Sequence, residues 1–196
     1  MRILIIGATG IIGRAVASAL SKHDLILASH TRSKEMVDIS DAGSIKGLFA
    51  RVGRIDAVVS AAGQAKFAPL ESLTDRDFDF CYRNKLMGQV NLVRFGLAAM
   101  RDGGSFTLTS GTLAQRPIVG GSAISLVNAA LEGFARGAAL EMPRKIRVNV
   151  VSPPWVSETL KAMGQDPDGG LPASVVAIAY VDVVEGKETG QVVVPR

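Results

Sequence analysis

Three glycines follow the first apolar run of the chain, each three residues after the one before. The run covers residues 3–6, and it is followed by Gly7, Gly10 and Gly13. Glycine costs backbone entropy and weakens helices and strands, so three of them at regular spacing need a structural reason. The segment predicts a sharp turn that joins a buried strand to the start of a helix.

Such a turn is typical of folds that bind a dinucleotide. Glycine permits a positive φ angle in the turn, lets the backbone approach a pyrophosphate and lets the helix pack closely on the sheet. Thr9 can add a hydroxyl to the same turn. A tight turn without a ligand is the alternative. We therefore predict that Gly7, Thr9, Gly10 and Gly13 bind a nucleotide diphosphate.

The rest of the chain alternates short β-branched runs with longer amphipathic segments. The predicted strands cover residues 2–6, 25–28, 35–38, 57–60, 105–109, 147–152 and 191–194. The predicted helices run from Gly10 to about Ser21 and over residues 41–52, 75–100, 122–141 and 173–185. This alternation predicts a doubly wound α/β fold, with a mostly parallel Rossmann-type sheet of about seven strands and helices on both faces. Residues 29–34 are too few for a crossover helix, so that helix is absent or the third strand is a loop.

Length and composition narrow the function classes. The 196 residues suffice for one domain with a full core, and we predict a single domain over residues 1–196. The net charge is +4, but Lys and Arg are scattered without a basic stripe, which argues against nucleic-acid binding. Cys81 is the only cysteine, so neither an internal disulfide nor a metal cluster is expected. The apolar runs are too short for a membrane span or a signal peptide, and we expect a cytoplasmic protein.

The residues after the second predicted strand bear on the choice of cofactor. The segment from Ser29 to Lys34 carries hydroxyls and two firm positive charges but no carboxylate. A carboxylate there would accept hydrogen bonds from a ribose 2′-hydroxyl, whereas a basic residue would pair with a 2′-phosphate. The loop therefore favours NADP over NAD, with Thr31 and Arg32 as contacts. A solvated basic loop is the alternative.

Several motifs, in this order along the chain, resemble those of the short-chain dehydrogenase/reductase family. Residues 7–13, GATGIIG, resemble its glycine-rich turn, and Asp38-Ile39 is similar to the pair that holds the adenine. Residues 60–63 stand where the family carries Asn-Asn-Ala-Gly, and residues 147–153 resemble the strand that leads to the nicotinamide. The resemblance implies an NADP-dependent oxidoreductase with a small-molecule substrate. It adds to the cofactor contacts Ile12, Asp38, Ile39, Ala61, Ala62, Gly63 and Pro153.

The catalytic set of that family is not reproduced. The family uses Tyr-x-x-x-Lys on the helix that matches residues 122–141, and here Ile124 and Asn128 occupy those positions. Isoleucine has no proton to give, and asparagine has no charge. The family's serine falls on Gly111, next to Ser110. The resemblance therefore places Asn128 in the catalytic pocket and leaves two candidates for its hydroxyl, Ser110 and the alternative Thr112, but standard reduction by tyrosine and lysine is not expected.

Lys85 stands at a position where the family carries an asparagine, three residues before a glycine that is Gly88 here. The lysine and asparagine positions of the family are thus exchanged between Lys85 and Asn128. We hypothesise that Lys85 returns a positive charge to the same pocket, where it acts as an acid/base or pairs with a substrate anion. A surface lysine on a long helix is the alternative.

These features leave several functions open. The first is an NADP-dependent oxidoreductase acting on a small carbonyl or alcohol with a non-standard proton donor. The alternative is a catalytically inactive NADP-binding sensor or regulatory protein, and the least specific is a dimeric structural domain without a ligand. A homodimer is expected through the long helices at 75–100 and 122–141, whose small residues allow close helix approach. These small residues are Gly88, Gly96, Ala129, Ala130, Gly133 and Gly137.

Overall fold

The computed structural model describes residues 1–196 and contains one seven-stranded sheet. Its strands are β1 (Arg2–Ile6), β2 (Asp24–Ser29), β3 (Glu35–Met36), β4 (Ile55–Ser60), β5 (Met100–Thr109), β6 (Arg147–Val151) and β7 (Val192–Val193). Their spatial order is β3-β2-β1-β4-β5-β6-β7, and every neighbouring pair is parallel. The doubly wound α/β fold predicted from the sequence is confirmed.

Seven α-helices accompany the sheet. They are α1 (Ile11–Ala19), α2 (Ala42–Val52), α3 (Asp75–Cys81), α4 (Gly88–Gly96), α5 (Ser122–Glu141), α6 (Ser157–Ala162) and α7 (Ala173–Glu185). None of them is both long and apolar enough to cross a bilayer. The bounds predicted for β1, α5 and α7 agree with the structure, because each has an uninterrupted apolar period.

The prediction of one helix over residues 75–100 is correct for a continuous helical segment over residues 75–96, but it is wrong about the regularity and the end of that segment. Residues Tyr82–Met87 form a π-helical segment between α3 and α4, and α4 ends at Gly96. Met100 is fully buried and begins β5, well before the β-branched run that predicted this strand. The register between β4 and β5 shifts and Gly103 has a φ of 72°, so β5 begins with an irregular stretch that hides its period.

Two other predictions need correction. The predicted third strand is reduced to the two residues of β3, and no helix lies between β2 and β3. Its last residue, Asp38, belongs instead to a turn in which the side chain accepts hydrogen bonds from Ser40. The short helix α6 has no counterpart among the predicted helices, because six residues are too few for a clear period.

The sheet separates two apolar cores. Leu4 and Ile6 of β1 belong to a cluster of 21 buried residues that also takes in residues of α2, α4 and α5. Ile3 and Ile5 point to the opposite face, into a cluster of 16 buried residues shared with α1 and α7. Alternate residues of one strand thus bury both faces, as a parallel sheet covered on both sides requires. Because all neighbouring strands are parallel, their carboxyl ends lie along one edge of the sheet.

Candidate functional site

The carboxyl ends of β1, β4, β5 and β6 meet along one crevice. The chain runs outward from β1 to β2 and β3 and then returns to start β4 on the other side of β1, so the crevice lies where the strand order reverses. Open α/β sheets bind their ligands at this kind of position. The segments after these strands contribute Gly7, Ala61, Ser110 and Pro153.

The three glycines of the first turn have different structural roles. Gly7 has a φ of 83°, and a Cβ on it would lie 2.4 Å from the carbonyl oxygen of Ala61. A Cβ on Gly13 would lie 2.0 Å from the carbonyl oxygen of Gly7. These two glycines are therefore required by close backbone packing. Gly13 is buried beneath the turn rather than exposed to the crevice.

Gly10 is the glycine of the turn that leaves room for a ligand. It is exposed, its φ is −76°, and a Cβ on it would meet only the carbonyl oxygen of Gly7, at 3.3 Å. It occupies the N-cap position of α1, and no side chain caps the helix there. The free N–H groups and the helix dipole favour an anion at this point. The turn thus fits a pyrophosphate.

One end of the crevice is lined by residues that the sequence assigned to the pyrophosphate and to the adenosine of the cofactor. They are Gly7, Thr9, Gly10, Asp38, Ile39, Ala61, Ala62 and Gly63. The Asp38 carboxylate accepts hydrogen bonds from the hydroxyl and the N–H of Ser40, at 2.6 and 2.9 Å, and lies 3.8 Å from His30. The Ser40 hydroxyl bond, chief among these contacts, lowers the pKa of Asp38. Asp38 is therefore an ordered acceptor at this end.

The basic loop lies partly apart from this end. Arg32 lines a neighbouring cavity together with Thr9 and Lys34, and its N–H donates to the Ser29 hydroxyl at 3.0 Å. Thr31 is exposed and lines neither cavity. Thr9 lines both this cavity and the crevice, so Arg32 lies at the border of the crevice. Thr31 lies outside the crevice.

The other end of the crevice is a cavity of about 480 Å³. Its walls include the three residues proposed from the sequence as catalytic, Lys85, Ser110 and Asn128. Ile124, at the position of the family's tyrosine, lines the same cavity, as do Ile12 and Pro153. Ala61, Ala62, Gly63 and Gln64 line both ends, so the two cavities are parts of one continuous crevice.

Lys85 lies in the π-helical segment, a deviation that is frequent at functional sites. Its side chain is 8% exposed and lines the cavity rather than the outer surface. The Nζ atom donates to the carbonyl oxygen of Ser110 at 3.3 Å, and no carboxylate forms an ion pair with it. Burial lowers the pKa of Lys85 to about 8, because the charged form loses its hydration. The amine therefore changes charge slightly above neutral pH.

Asn128 lines the same cavity and carries a buried acceptor without a hydrogen-bond partner. The side chain is 1% exposed, and its Nδ2 donates to the carbonyl oxygen of Gly111 at 3.3 Å. The Oδ1 atom is buried and has no hydrogen-bond partner. A buried acceptor without a donor is costly, and a ligand hydroxyl would satisfy it. The ribose hydroxyls of a dinucleotide fit this requirement.

Glu132 is a site residue that sequence reasoning missed. It is buried one helical turn after Asn128, where it accepts hydrogen bonds from the hydroxyls of Ser110 at 2.9 Å and Ser152 at 3.1 Å, and from Nε2 of Gln115. The one hydroxyl proton of Ser110 is thereby directed away from the cavity, so Ser110 presents only lone pairs to a ligand. The sequence signal that could have revealed Glu132 is a charged residue among the apolar residues of the buried face of α5.

We expect Glu132→Gln to destabilise the protein by about 2 kcal/mol, because the charge-assisted hydrogen bonds from Ser110, Ser152 and Gln115 to the buried carboxylate are replaced by weaker bonds to a neutral amide. Urea unfolding measures this change in the free energy of unfolding. Glu141→Gln is the matched control, since Glu141 ends the same helix in an exposed position. Equal midpoints for the two variants would show that Glu132 does not organise the cluster.

A second hydrogen-bonded group fixes the end of β5. The Thr109 hydroxyl donates its one proton to the carbonyl oxygen of Ser60 at 2.5 Å. It therefore accepts the hydrogen bond from the Tyr180 hydroxyl, at 2.6 Å. Tyr180 is fully buried, which raises its pKa further above neutral pH. The Gln89 amide binds both the N–H and the carbonyl of Thr109, at 2.8 and 2.9 Å. Tyr180 therefore supports the backbone before Ser110, and it does not line the cavity.

Comparison with known proteins extends over nearly the whole chain. A family model described as Enoyl-(Acyl carrier protein) reductase matches residues 7–194. Hydroxynaphthalene reductase from Aspergillus fumigatus is 30% identical over 152 residues, which cover 73% of this chain and 56% of that protein. 2,3-Dihydro-2,3-dihydroxybenzoate dehydrogenase from Escherichia coli is 27% identical, and the match covers 73% of this chain and 66% of that protein. The chain thus spans 56–66% of the length of these two relatives.

Solved structures match along nearly their full length. A crystal structure of a protein from Listeria innocua has a TM-score of 0.95 and 41% identity, covering 99% of this chain and 98% of that one. A small-chain dehydrogenase in complex with NADPH has a TM-score of 0.86 and 26% identity, covering 99% and 95%. Together with the strand order, the glycine turn and the crevice, these matches show that the chain belongs to the short-chain dehydrogenase/reductase family.

Proposed function

We propose that this protein, as a single domain over residues 1–196, is an NADP-dependent oxidoreductase of a small carbonyl compound or alcohol. In this proposal Lys85 replaces the tyrosine of the family as the proton donor. The observation that carries it is the position of Nζ, buried in the cavity that continues into the nucleotide crevice and bound to a single backbone acceptor.

The crevice supports a dinucleotide along its length. The N–H groups beside Gly10 would hold the pyrophosphate, Asp38 and Ile39 the adenine, and the Oδ1 atom of Asn128 a ribose hydroxyl at the nicotinamide end. When bound, NADP(H) accepts or supplies the hydride. The NADPH complex of the related small-chain dehydrogenase supports this cofactor.

The proton in this reaction is handled by Lys85. In carbonyl reduction the Nζ ammonium donates a proton to the carbonyl oxygen, and in alcohol oxidation the neutral amine accepts the hydroxyl proton. A general acid works best when its pKa lies near the working pH, and the lowered pKa of Lys85, about 8, meets that condition. Ser110 contributes a hydrogen-bond acceptor whose orientation is set by Glu132. It is therefore a positioning group for a ligand hydroxyl or for Lys85.

Arg32 is the residue we propose for the 2′-phosphate. We expect Arg32→Ala to weaken NADPH binding about 10-fold and to leave NADH binding unchanged, because a charge-assisted contact to the phosphate is lost. Nicotinamide fluorescence titration measures both affinities, and Lys187→Ala, an exposed lysine outside the crevice, is the control. A parallel loss of NADPH and NADH affinity would assign Arg32 a purely structural role.

We also infer a homodimer through the outer face of α5. Gly133 and Gly137 have no atom within 4 Å of an added Cβ, and Leu140 is 90% exposed. Gly88 and Gly96 take no part in this surface, because both pack inward against side chains of the core. Sedimentation equilibrium tests the association.

The function is tested by two measurements on the purified protein. Titration with NADPH and with NADH establishes binding and cofactor preference. A panel of aldehydes, ketones and quinones, followed by the decay of NADPH absorbance, then establishes turnover. NADPH binding without turnover of any panel member would contradict the oxidoreductase and favour the sensor, whereas absence of binding would contradict both.

A further inference from the structure

The substrate end of the crevice is cationic and aromatic. Among the residues that line this cavity the charged ones are Lys66 and Lys85, and none is acidic. The aromatic ones are Phe67, Phe80 and Trp155. We propose that this cavity selects flat, conjugated carbonyl compounds that carry a negative charge. The inference rests on the proposed function, since it names the substrate class of the same site.

The charge preference follows from the surroundings of Lys85. An ammonium has three N–H donors, and one of them is used, on the neutral carbonyl oxygen of Ser110 at 3.3 Å. The nearby carboxylate of Glu132 is already engaged by Ser110, Ser152 and Gln115. A buried cation without a carboxylate partner is stabilised strongly by an anionic group that enters the cavity. An anion on the ligand supplies the missing partner.

Lys66 adds little to this preference. Its side chain is exposed, and its charge also acts on the carboxyl group of Asp77, whose pKa is lowered chiefly by hydrogen bonds from Thr74 and to a smaller extent by Lys66. The attraction of exposed charges is weakened by solvent and salt. The charge argument therefore depends on Lys85 alone.

The shape preference follows from an aromatic wall made by two loops. Phe67 lies in the segment after β4 and Trp155 in the segment after β6, and their ring centroids are 5.9 Å apart with an interplanar angle of 33°. Phe67 is 40% exposed, and Trp155 is only partly buried. Aromatic faces of this kind gain additional energy from offset stacking on a flat π system, beyond the burial of apolar area. A saturated ring of equal size gains only the burial.

Calorimetric titration with three unreactive probes separates the two preferences. The probes are 2-naphthoate, which is flat and anionic, decahydro-2-naphthoate, which is anionic but not flat, and 2-naphthamide, which is flat but neutral. Each is titrated into the protein with and without saturating NADP⁺. We expect 2-naphthoate to bind about 10-fold more tightly than either comparison compound.

Two variants tie the preferences to their residues. Phe67→Ala, at a partly exposed position, should abolish the preference for 2-naphthoate over its decahydro form, while Lys85→Met should abolish the preference over 2-naphthamide. Tyr82→Ala is the control, because Tyr82 is an exposed aromatic residue that does not line the cavity. Equal affinities for the three probes, or no binding of any of them, would overturn the inference.

Calorimetry also keeps this inference apart from the proposed function. If 2-naphthoate binds with both preferences but no compound of the carbonyl panel is turned over, the oxidoreductase proposal fails and the assigned ligand class stands. If carbonyl compounds are turned over while the probes bind equally, the enzyme proposal stands and the ligand class is wrong.

Discussion

Gly10→Asp is expected to lower the affinity for NADPH at least ~100-fold while the protein stays folded. The backbone of Gly10 has ordinary extended angles, and aspartate is a preferred residue at the N-cap position that Gly10 occupies. We therefore expect the free energy of unfolding to change by less than about 1 kcal/mol. The new carboxylate would instead stand where the pyrophosphate binds, and two like charges about 4 Å apart repel by a few kcal/mol at a protein surface.

Gly10→Asn provides the matched control for charge. Asparagine has nearly the same size as aspartate and caps a helix equally well, so it reproduces the steric effect without the repulsion. Fluorescence titration with NADPH and thermal unfolding of both variants give the two quantities needed. Equal NADPH affinity for Gly10→Asp and the unchanged protein would show that the turn does not hold the pyrophosphate. Gly13→Ala cannot serve this purpose, because its Cβ would collide with the carbonyl of Gly7.

Lys85→Met is expected to reduce turnover by about 10²- to 10⁴-fold and to leave NADPH binding in place. Methionine resembles the lysine stem in size, but it can neither donate a proton nor carry a charge. Removing a desolvated ammonium should also raise the free energy of unfolding, since its burial costs stability. Loss of activity together with a gain of stability would distinguish a catalytic lysine from one needed for folding.

The pH dependence of the unchanged protein provides a second test of Lys85. Carbonyl reduction requires the protonated amine, so its kcat/KM, which reports the free protein, should fall as the pH rises through about 8, the lowered pKa of Lys85. Alcohol oxidation requires the neutral amine, so its kcat/KM should rise over the same range. The residual activity of Lys85→Met should lack both inflections. The control is Lys46→Met, an exposed lysine on α2, for which both profiles should remain. Unaltered turnover in Lys85→Met would remove Lys85 from the mechanism.

The parts of the fold that the sequence predicted well are those with a strong local period. The apolar run of β1 and the long apolar face of α5 each contain enough residues to define both ends of the element. The helix predicted over residues 75–100 missed the interruption at Tyr82–Met87 and the end at Gly96 for the opposite reason, since a π-helical segment and an irregular strand start have no simple period. The interruption matters for function, because Lys85 lies within it.

The site was predictable where its residues are neighbours in the chain. Gly7, Gly10 and Gly13 form one short segment, and the sequence therefore indicated the turn and its place between a strand and a helix. The environment of Lys85 was not predictable in this way. Its hydrogen-bond partner, the carbonyl of Ser110, is 25 residues away along the chain. Burial beside that carbonyl depends on how the π-helical segment packs against the end of β5.

The role of Glu132 could not be predicted from the sequence for the same reason. In the sequence it is one charged residue in a helix, and its three partners, Ser110, Gln115 and Ser152, are 17 to 22 residues distant. The resemblance gave Ser110 as one candidate for the hydroxyl of the catalytic pocket, but the direction of its hydroxyl proton depends on Glu132. Likewise, Phe67 and Trp155 belong to segments far apart in the chain, and they meet in the folded protein.

By itself, the sequence determined the alternation of strands and helices, the glycine turn and the absence of tyrosine at position 124, because each is a property of adjacent residues. The tertiary structure alone decided the charge environment of Lys85, the orientation of Ser110 and the unsatisfied acceptor of Asn128. Desolvation and hydrogen-bond direction depend on atoms that distant segments bring together, and no local pattern of residue types records them.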